Sequence, residues 1–451
     1  MTARPNFEAG FGQVCDLLFG QLRGDEALAV SFAGEASDFL RFNQGRVRQI
    51  GHVRMAEAEL KFFRDGRTVS SGLQLTLDAA RDAERVAQVL ALVRREAALL
   101  PEDPYQTLPA AGATSRETFT GQLPEPGQIP DAILGPGAAL AAAGADFVGI
   151  HAQGGQCRGA ATSAGAHHWF ATETFALDYS AYLPNGKAIK SGYAGRQWDG
   201  AELERRLAGA VPGLEALARP GKVIAPGGCR VYLAPEAVNE FVEFFSWNGL
   251  GERALREGKS SYLALRDGRR QLSPRFHLTQ DFSLGIEPRF NALGEVAPDR
   301  LALIEAGKLV NTLVSARSAR QYGVASNAAP AGEGVRSPAI GAGELDEQEA
   351  LEALGTGLYL SNLHYLNWSD HDSGRITGMT RFGCFWVEDG RIIAPITDLR
   401  FDESVYHLFG DKLRGLTRQR RLIPETRSYG LRALGGALVP GLLVEDFTFT
   451  L

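Results

Sequence analysis

Four of the six places where glycine follows Asp or Asn are turn signals that most constrain the fold of this chain. A tight two-residue hairpin turn needs positive φ at both central residues, which Asp, Asn and Gly adopt readily, and it joins antiparallel strands. Around Asp65-Gly66, apolar and polar residues alternate as they do in half-buried strands. We therefore predict antiparallel hairpins. The four signals are Asp65-Gly66, Asn185-Gly186, Asp267-Gly268 and Asp389-Gly390.

Apolar residues at helical spacing predict several helices between the strands. Asp78 is a favourable N-cap for a helix that runs to about Leu100, and Pro235 precedes a helix over about Glu236 to Trp247. Residues 101–135, rich in Pro, Gly, Thr and Gln, are expected to form a connection. Helices mixed with antiparallel hairpins, rather than regular βαβ units, predict an α+β fold. The other predicted elements are helices over 6–22 and 201–218 and strand-like segments over 28–32, 39–42, 47–50, 56–63, 68–77 and 146–195.

The pattern of predicted helices and strands changes at Arg219-Pro220-Gly221, which predicts a domain boundary there. We predict one α+β domain over residues 1–218 and a second over residues 219–451, which is largely antiparallel β with one prominent helix near its start. Residues 326–345 are rich in Gly, Ala and Pro and lack hydrophobic periodicity. This composition predicts a mobile surface loop that borders a substrate chamber.

Charge and composition exclude several classes of protein. The chain has 47 Lys and Arg residues against 53 Asp and Glu, and its net charge of −6 excludes a generally basic nucleic-acid binder. The basic stretch 412–421 is interpreted as a solvated face. The sequence has no apolar run of about 18 residues and no signal-peptide pattern at its start. Four widely spaced cysteines fit a reducing compartment, so we predict a cytoplasmic protein without a nucleic-acid or membrane partner.

The usual catalytic motifs are absent from the sequence. It contains neither H-E-x-x-H nor H-E-x-x-x-H, no G-x-S-x-G, and no complete phosphate loop or dinucleotide fingerprint. The densest group of candidate metal ligands lies in one short segment that also has the composition of a polar turn. We favour the turn, and predict no metal, no cofactor and no catalytic residue. The members of this group are His364, Asp370, His371 and Asp372.

An arginine beside a Gly/Thr-rich segment is a candidate for carboxylate binding. Arg381 directly follows Thr377-Gly378-Met379-Thr380, and a guanidinium can hold a peptide or ligand carboxylate through two parallel hydrogen bonds. A surface position or an internal salt bridge is the alternative. We predict that Thr377, Arg381 and Asn367 bind substrate.

Two longer blocks resemble sequences of the TldD/PmbA family, also called the modulator-of-DNA-gyrase family. Residues 226–237 (PGGCRVYLAPEA) are similar to the start of that family's second domain, and residues 377–390 (TGMTRFGCFWVEDG) resemble one of its strands with the following hairpin. Shorter similarities, such as RFNQGRVRQI at residues 41–50, follow the family's order over nearly the whole chain. The resemblance implies a link to the hydrolysis of peptides.

The family contains two kinds of member, and the resemblance assigns this chain to one of them. TldD-type members are zinc metallopeptidases with H-E-x-x-x-H on the helix that follows Pro235 here. PmbA/TldE-type members lack this motif and pair with a TldD-type subunit. In this chain Glu243, Phe244 and Asn248 stand at the three positions, and Phe244 cannot act as a base. The resemblance therefore implies a metal-free, PmbA/TldE-like subunit of a TldD-type complex that helps bind and process unfolded or leader peptides, with a TldD-like partner or with itself as a dimer.

Two other functions stay open on the sequence. In the first, the chain is itself a TldD-like metallopeptidase with diverged ligands such as His364, Asp370 and His371. In the second, it is a stand-alone protein that binds a peptide or a natural product. A bound metal would support the first, and a TldD-type protein encoded nearby would argue against the second.

Overall fold

The computed structural model describes residues 6–106, 108–109 and 112–450 and organises them around two β-sheets. Strands between residues 27 and 195 form a seven-stranded sheet, and strands between residues 227 and 449 form a thirteen-stranded sheet. Helices occur with both sheets, which confirms the predicted α+β class. The predicted boundary between residues 218 and 219 lies between the two sheets and remains a prediction. No helix in this described part of the chain is long and apolar enough to cross a membrane.

The first sheet is built from long antiparallel strands. Its elements are α1 (Phe7–Phe19), β1 (Ala27–Asn43), β2 (Arg46–Arg64), β3 (Arg67–Gln74), α2 (Ala79–Ala97), β4 (Thr114–Phe119), α3 (Ile129–Ala142), β5 (Asp146–Thr162), β6 (His167–Tyr182), β7 (Ala188–Gly195) and α4 (Gly200–Leu217). The strand order is β3-β2-β1-β5-β6-β4, and β7 also pairs with β6. Asp65 and Gly66, with φ of 49° and 69°, form the predicted hairpin turn between β2 and β3. Asp78 is the N-cap of α2, as predicted.

Strand β1 is longer than its sequence pattern predicts. The predicted segments 28–32 and 39–42 belong to one continuous strand, because residues 33–38 pair with β2 on one side and with β5 on the other. These residues (AGEASD) have weak strand propensity. Pairing with two neighbouring strands therefore decides their conformation. The segments 47–50 and 56–63 likewise belong to one continuous strand, β2, in which residues 51–55 pair with β1 on one side.

The helices cover one face of the first sheet in two groups. Helices α1 and α2 pack over Val30 and Phe32 of β1, whereas α3 and α4 pack over Leu40 of the same strand. Even-numbered residues of one regular strand share a face, so both groups lie on the same side of the sheet. A groove of about 1030 Å³ lies between α1 and residues 121–126 on this side.

Residues 101–135 are not the plain connection that their composition predicts. They contain β4, which pairs in parallel with β6, and the beginning of α3. The sequence did not predict this helix because it contains Gly135, Pro136 and Gly137, and glycine and proline have the lowest helix propensities. Glycine at position 137 allows the helix to pack closely on β5, since a Cβ there would lie 2.5 Å from the ring of Phe147.

The second sheet combines many short strands with short helices. Its elements are β8 (Gly227–Leu233), α5 (Pro235–Val242), α6 (Glu252–Arg256), α7 (Leu263–Arg266), β9 (Leu278–Asp281), β10 (Arg300–Glu305), β11 (Lys308–Leu309), α8 (Ala316–Tyr322), β12 (Pro338–Ile340), α9 (Ala350–Leu354), β13 (Gly357–Leu360), β14 (Asn362–Asp370), β15 (Arg375–Arg381), β16 (Phe385–Glu388), β17 (Arg391–Pro395), β18 (Arg400–Ser404), β19 (Leu413–Pro424) and β20 (Gly436–Phe449). The main order is β11-β10-β9-β12-β20-β8-β13-β16-β17, with β14, β15, β18 and β19 branching from it. Most of its strand pairs are antiparallel, and β12–β20 and β8–β13 are parallel. Asp389-Gly390 forms the turn between β16 and β17, whereas Asp267-Gly268 follows α7 and joins no hairpin.

Residues 326–345 are not the surface loop that their composition predicts. Ala329, Ser337 and Ile340 are at most 1% exposed, and β12 lies between β9 and β20 in the sheet. The guanidinium of Arg336 donates to four backbone carbonyls at distances of 2.8–3.1 Å. Small side chains allow this close packing, so the missing hydrophobic periodicity did not indicate exposure.

A buried arginine holds the segment before β20 against the first sheet. The backbone N–H of Arg432 donates to a carboxylate oxygen of Glu35 at 2.6 Å, and its guanidinium donates to the carbonyl of Gly154 at 3.1 Å. Glu35 is 1% exposed and Arg432 is 6% exposed. These contacts connect the second half of the chain to β1 and β5.

Candidate functional site

The hairpin of β14 and β15 brings the predicted substrate-binding residues onto one face. Asn367 pairs with Thr377, and Arg381 pairs with Asn362 at the other end of the hairpin. Thr377 and Arg381 are four residues apart on one strand, so their side chains point the same way. Within the described residues β14 pairs only with β15, so the other edge of β14 is open.

Thr377 and Arg381 differ in how free their side chains are. The Thr377 hydroxyl donates to the carbonyl of Phe401 at 3.0 Å and accepts from Nε of Arg400 at 3.2 Å. Arg381 is exposed, and its Nη1 donates to Nδ1 of His364 at 3.2 Å. Thr377 therefore fixes neighbouring strands, whereas Arg381 projects to solvent.

Two guanidinium groups on this face have no carboxylate partner among the described residues. Arg381 contacts His364 and lies over the Phe382 ring at 5.0 Å, and Arg400 contacts Thr377. Partial burial lowers the pKa of His364, and the positive charge of Arg381 lowers it further. His364 is therefore a neutral acceptor at neutral pH, and both arginine charges remain available to an anionic group.

Tyr365 is a candidate site residue that the sequence patterns did not indicate. It lies at an irregularity in the β14–β15 pairing, has φ of 56° and is 79% exposed. Its ring lies 4.4 Å from the ring of His364. An aromatic side chain held out of the strand in this way offers an apolar contact beside the open edge of β14. No local motif distinguishes it from a buried strand tyrosine.

The positions that correspond to the zinc motif do not lie on one continuous helix. Helix α5 ends at Val242, earlier than the predicted end at Trp247, and a 3₁₀ turn over Glu243–Phe245 follows. Asn248 lies beyond this turn with φ of 48°. Glu243 is exposed and Asn248 is half-buried, so the two side chains are presented by different backbone elements.

Phe244, which follows Glu243 in the chain, is buried in an aromatic contact. It is 2% exposed, and its ring packs edge-on against Trp368 of β14 with a centroid distance of 4.9 Å. The ring of Trp247 lies 5.8 Å from the ring of Phe244, and the indole N–H of Trp368 donates to the Trp247 carbonyl at 3.0 Å. The end of α5 and the edge strand β14 are thus packed into one unit.

The predicted alternative metal ligands have separate partners. His371 Nδ1 lies 3.2 Å from the Ser261 hydroxyl, while Asp370 accepts from the backbone N–H of Asp372 at 3.0 Å and from the Ser373 hydroxyl. The hydrogen bond from Ser373 lowers the pKa of Asp370. His364 contacts Arg381 instead. The described residues contain no group of three or more His, Cys, Asp or Glu side chains arranged to hold a metal.

A polar cleft of about 550 Å³ borders Asn248. Glu333 lies in its wall, is 3% exposed, and accepts hydrogen bonds from the backbone N–H groups of Ser315 at 3.0 Å and Arg253 at 2.8 Å. Asp103 and Arg317 form an ion pair at 3.2 Å across the cleft. Glu333 lies within the segment predicted to be a surface loop, and its structural role was not visible in the sequence.

The comparison with known proteins identifies the family. Residues 226–451, half of the chain, match the family described as PmbA/TldA metallopeptidase C-terminal domain. The chain therefore belongs to the PmbA/TldD family of metallopeptidase-related proteins, as its motifs predicted. No curated protein matches its sequence significantly.

Solved structures with the same fold extend over the whole chain. A protein described as a modulator of a DNA gyrase from Thermotoga maritima has a TM-score of 0.74 at 16% identity and covers 99% of this chain and 100% of its own. TldE from Thermococcus kodakarensis has a TM-score of 0.72 at 15% identity, with 98% of each chain covered. A modulator of DNA gyrase from Bacteroides thetaiotaomicron has a TM-score of 0.75 at 13% identity over 100% of both chains. At these identities the likeness shows the fold alone.

Proposed function

We propose that this chain is a metal-free, PmbA/TldE-like subunit of a TldD-type metallopeptidase complex that acts in the cytoplasm. The buried Phe244 carries this proposal. A zinc peptidase needs a water activated by the metal and a base beside it. The side chain at the position of the base is apolar, 2% exposed and packed on Trp368. Its partner would be a TldD-like subunit, or a second copy of the chain when that subunit is missing.

The proposed contribution of this subunit is to hold an extended peptide. The open edge of β14 offers backbone donors and acceptors to an added strand, the mode in which many domains bind extended peptides. Arg381 beside that edge supplies a charge for a peptide carboxylate, and Asn367 supplies an amide. In this proposal Thr377 acts indirectly, because its hydroxyl is already bonded to Phe401 and Arg400.

A metallopeptidase with ligands from His364, Asp370 and His371 is less well supported. Asp370 is held by the backbone and the Ser373 hydroxyl of its own turn, and His364 is paired with Arg381. Bringing these groups onto one ion would break contacts in the turn and on the hairpin face.

The proposal is tested by mixing the purified chain with a TldD-type protein from the same source and measuring cleavage of an unstructured peptide. We expect cleavage only when both proteins are present, with no zinc bound by this chain after dialysis. Chelator-sensitive cleavage by this chain alone, or full activity of the partner without it, would refute the proposal. Peptide binding by the chain with no effect on the partner would favour a stand-alone binding protein.

Site variants test where the peptide lies. Arg381→Ala should raise the KM of the mixed complex by roughly tenfold with little change in kcat, because a charged hydrogen bond of about 1.5 kcal/mol is lost. Arg391→Ala is the matched control, since Arg391 is also exposed on a hairpin and makes no ion pair among the described residues. Equal effects of both substitutions would remove the reason to place the peptide at β14.

A further inference from the structure

The outer edge of β2 is open over about half of its length. Strand β3 pairs with residues 57–64 of β2, and β1 pairs with β2 along its other edge. Residues 46–55 therefore pair with no strand on the outer side in the described part of the chain. A strand edge of this length presents unpaired backbone N–H and C=O groups, which form a template for another extended chain.

The segment that contains this open edge and the end of β1 before it is basic, although the chain as a whole is acidic. Residues 39–56 contain four arginines and one histidine but no Asp or Glu, in a chain of net charge −6. The four arginines are exposed, and none makes an ion pair with a described residue. His52 is paired with Asp38 at 2.8 Å. We call residues 39–56 the basic arm. Its arginines are Arg41, Arg46, Arg48 and Arg54.

Charges on a strand edge can simply prevent aggregation, but two features of the basic arm do not fit that role alone. Ile50 is 68% exposed and Val47 is 40% exposed between the arginines, and an edge that only repels other strands gains nothing from them. His52 and Arg54 also line the groove of about 1030 Å³ on the helix-covered face. The edge thus leads into an open groove.

We propose that the basic arm binds an acidic segment of a client peptide as an additional β-strand. A carboxylate on every second residue of such a strand would lie beside Arg48 or Arg54, at the spacing of cross-strand pairs. An apolar residue on the same face of the added strand, between two carboxylates, would cover Ile50. The groove beyond Arg54 would receive the continuing chain. The proposal rests on the proposed peptide-handling function and adds a preference for acidic clients, at a place distant in sequence from β14.

The same features decide between possible occupants. A nucleic acid would pair with the arginines but would leave the backbone edge of residues 46–55 unused. A second copy of this chain, paired through the same edge, would place the arginines of one arm against those of the other, and like charges opposite one another destabilise strand pairing. An acidic polypeptide satisfies both the charges and the backbone.

The test uses a fluorescent peptide of about ten residues in which Glu and Val alternate, long enough to span the open edge. Controls are the same peptide with Gln in place of Glu, and a version N-methylated at every second residue, which removes backbone donors from one edge. Binding to the full chain is measured by anisotropy at low and high salt. We expect the Glu peptide to bind at least about tenfold more tightly than the other two, and less tightly as salt rises.

Variants locate the binding on the arm. Arg46→Glu with Arg48→Glu should weaken binding of the Glu peptide by about tenfold or more, and the milder pair Arg46→Gln with Arg48→Gln should weaken it less. Arg81→Glu with Arg95→Glu changes the net charge equally on α2 and should leave binding unchanged. Hydrogen exchange at residues 46–55 should slow when the Glu peptide binds.

Each contrary result overturns the proposal. It fails when the Glu and Gln peptides bind equally, when the arm variants bind like the unaltered chain, or when N-methylation has no effect. Tighter arm-dependent binding of an oligonucleotide would assign the arm to nucleic acid. A change of oligomeric state in the arm variants would assign it to a second copy. Activation of the TldD-type partner toward the Gln peptide tests the proposed function separately, because that assay does not need an acidic client.

Discussion

Introducing H-E-x-x-x-H at residues 243–248 should destabilise this chain without creating a zinc site. The perturbation is Glu243→His, Phe244→Glu and Asn248→His together. Removing a buried phenylalanine side chain costs about 3–5 kcal/mol, and Phe244 is 2% exposed. A carboxylate in the same place adds a desolvation penalty, so a loss of at least ~4 kcal/mol is expected from a total stability of roughly 5–15 kcal/mol. Zinc should not bind, because position 243 lies within a 3₁₀ turn and position 248 lies beyond it with positive φ, so the two belong to different backbone elements.

Urea unfolding followed by tryptophan fluorescence measures this loss, since Trp247 and Trp368 both contact the ring at position 244. Glu243→His alone is the stability control, because Glu243 is exposed and the change should stay within about 0.5 kcal/mol. Glu243→His with Asn248→His keeps Phe244 and allows zinc to be measured in a folded chain. One zinc per chain in either multiple variant, with a stability loss below about 1 kcal/mol, would show that the reasoning about the closed site is wrong.

Three further predictions concern stability. Burial lowers the pKa of His151 to about 4, so on acidification the unfolded chain takes up a proton before the folded chain does. About 3 kcal/mol of folding stability should therefore be lost as the pH falls from about 6.5 to 4. The free energy of unfolding of His151→Gln, measured against pH, should lack this dependence. Arg432→Met should cost about 1–3 kcal/mol in urea unfolding because it removes the guanidinium that bonds the carbonyl of Gly154 and one of two positive charges near the buried Glu35, and adding Glu35→Gln should restore part of the loss. Gly137→Ala should cost about 1–3 kcal/mol through contact with Phe147, whereas Gly135→Ala, with open space around it, should be neutral or stabilising.

The elements that could be predicted from the sequence are those fixed by local chemistry. Asp65-Gly66 forms its hairpin turn because both residues adopt positive φ, and Asp78 caps α2 through its own side chain. The segments that were missed depend on distant neighbours. Strand β4 exists because β6 pairs with it, and β12 because β9 and β20 lie on either side. A local pattern carries no information about such neighbours.

The candidate site divides in the same way. Sequence motifs singled out Arg381 and Phe244, but they did not show which of the two side chains is accessible to a substrate. Burial and contacts supply that distinction: Arg381 is exposed and Phe244 is enclosed by tryptophans. The sequence did not indicate Tyr365 as a site residue because its exposure follows from an irregularity in the β14–β15 pairing, and no residue type in the segment predicts that irregularity.

The contact between Phe244 and Trp368 links the closed position to the proposed peptide edge, and this link can be tested. Trp368 lies next to Asn367 on β14, and its indole N–H is bonded to the Trp247 carbonyl. Phe244→Ala should therefore lower the stability by about 3–5 kcal/mol and weaken peptide binding as well, because β14 loses its support. Arg381→Ala should weaken peptide binding without changing the urea midpoint, since Arg381 is exposed and makes no ion pair with a described residue. If Phe244→Ala leaves peptide affinity intact while the chain is destabilised, the proposed link between this packing and the peptide edge is wrong.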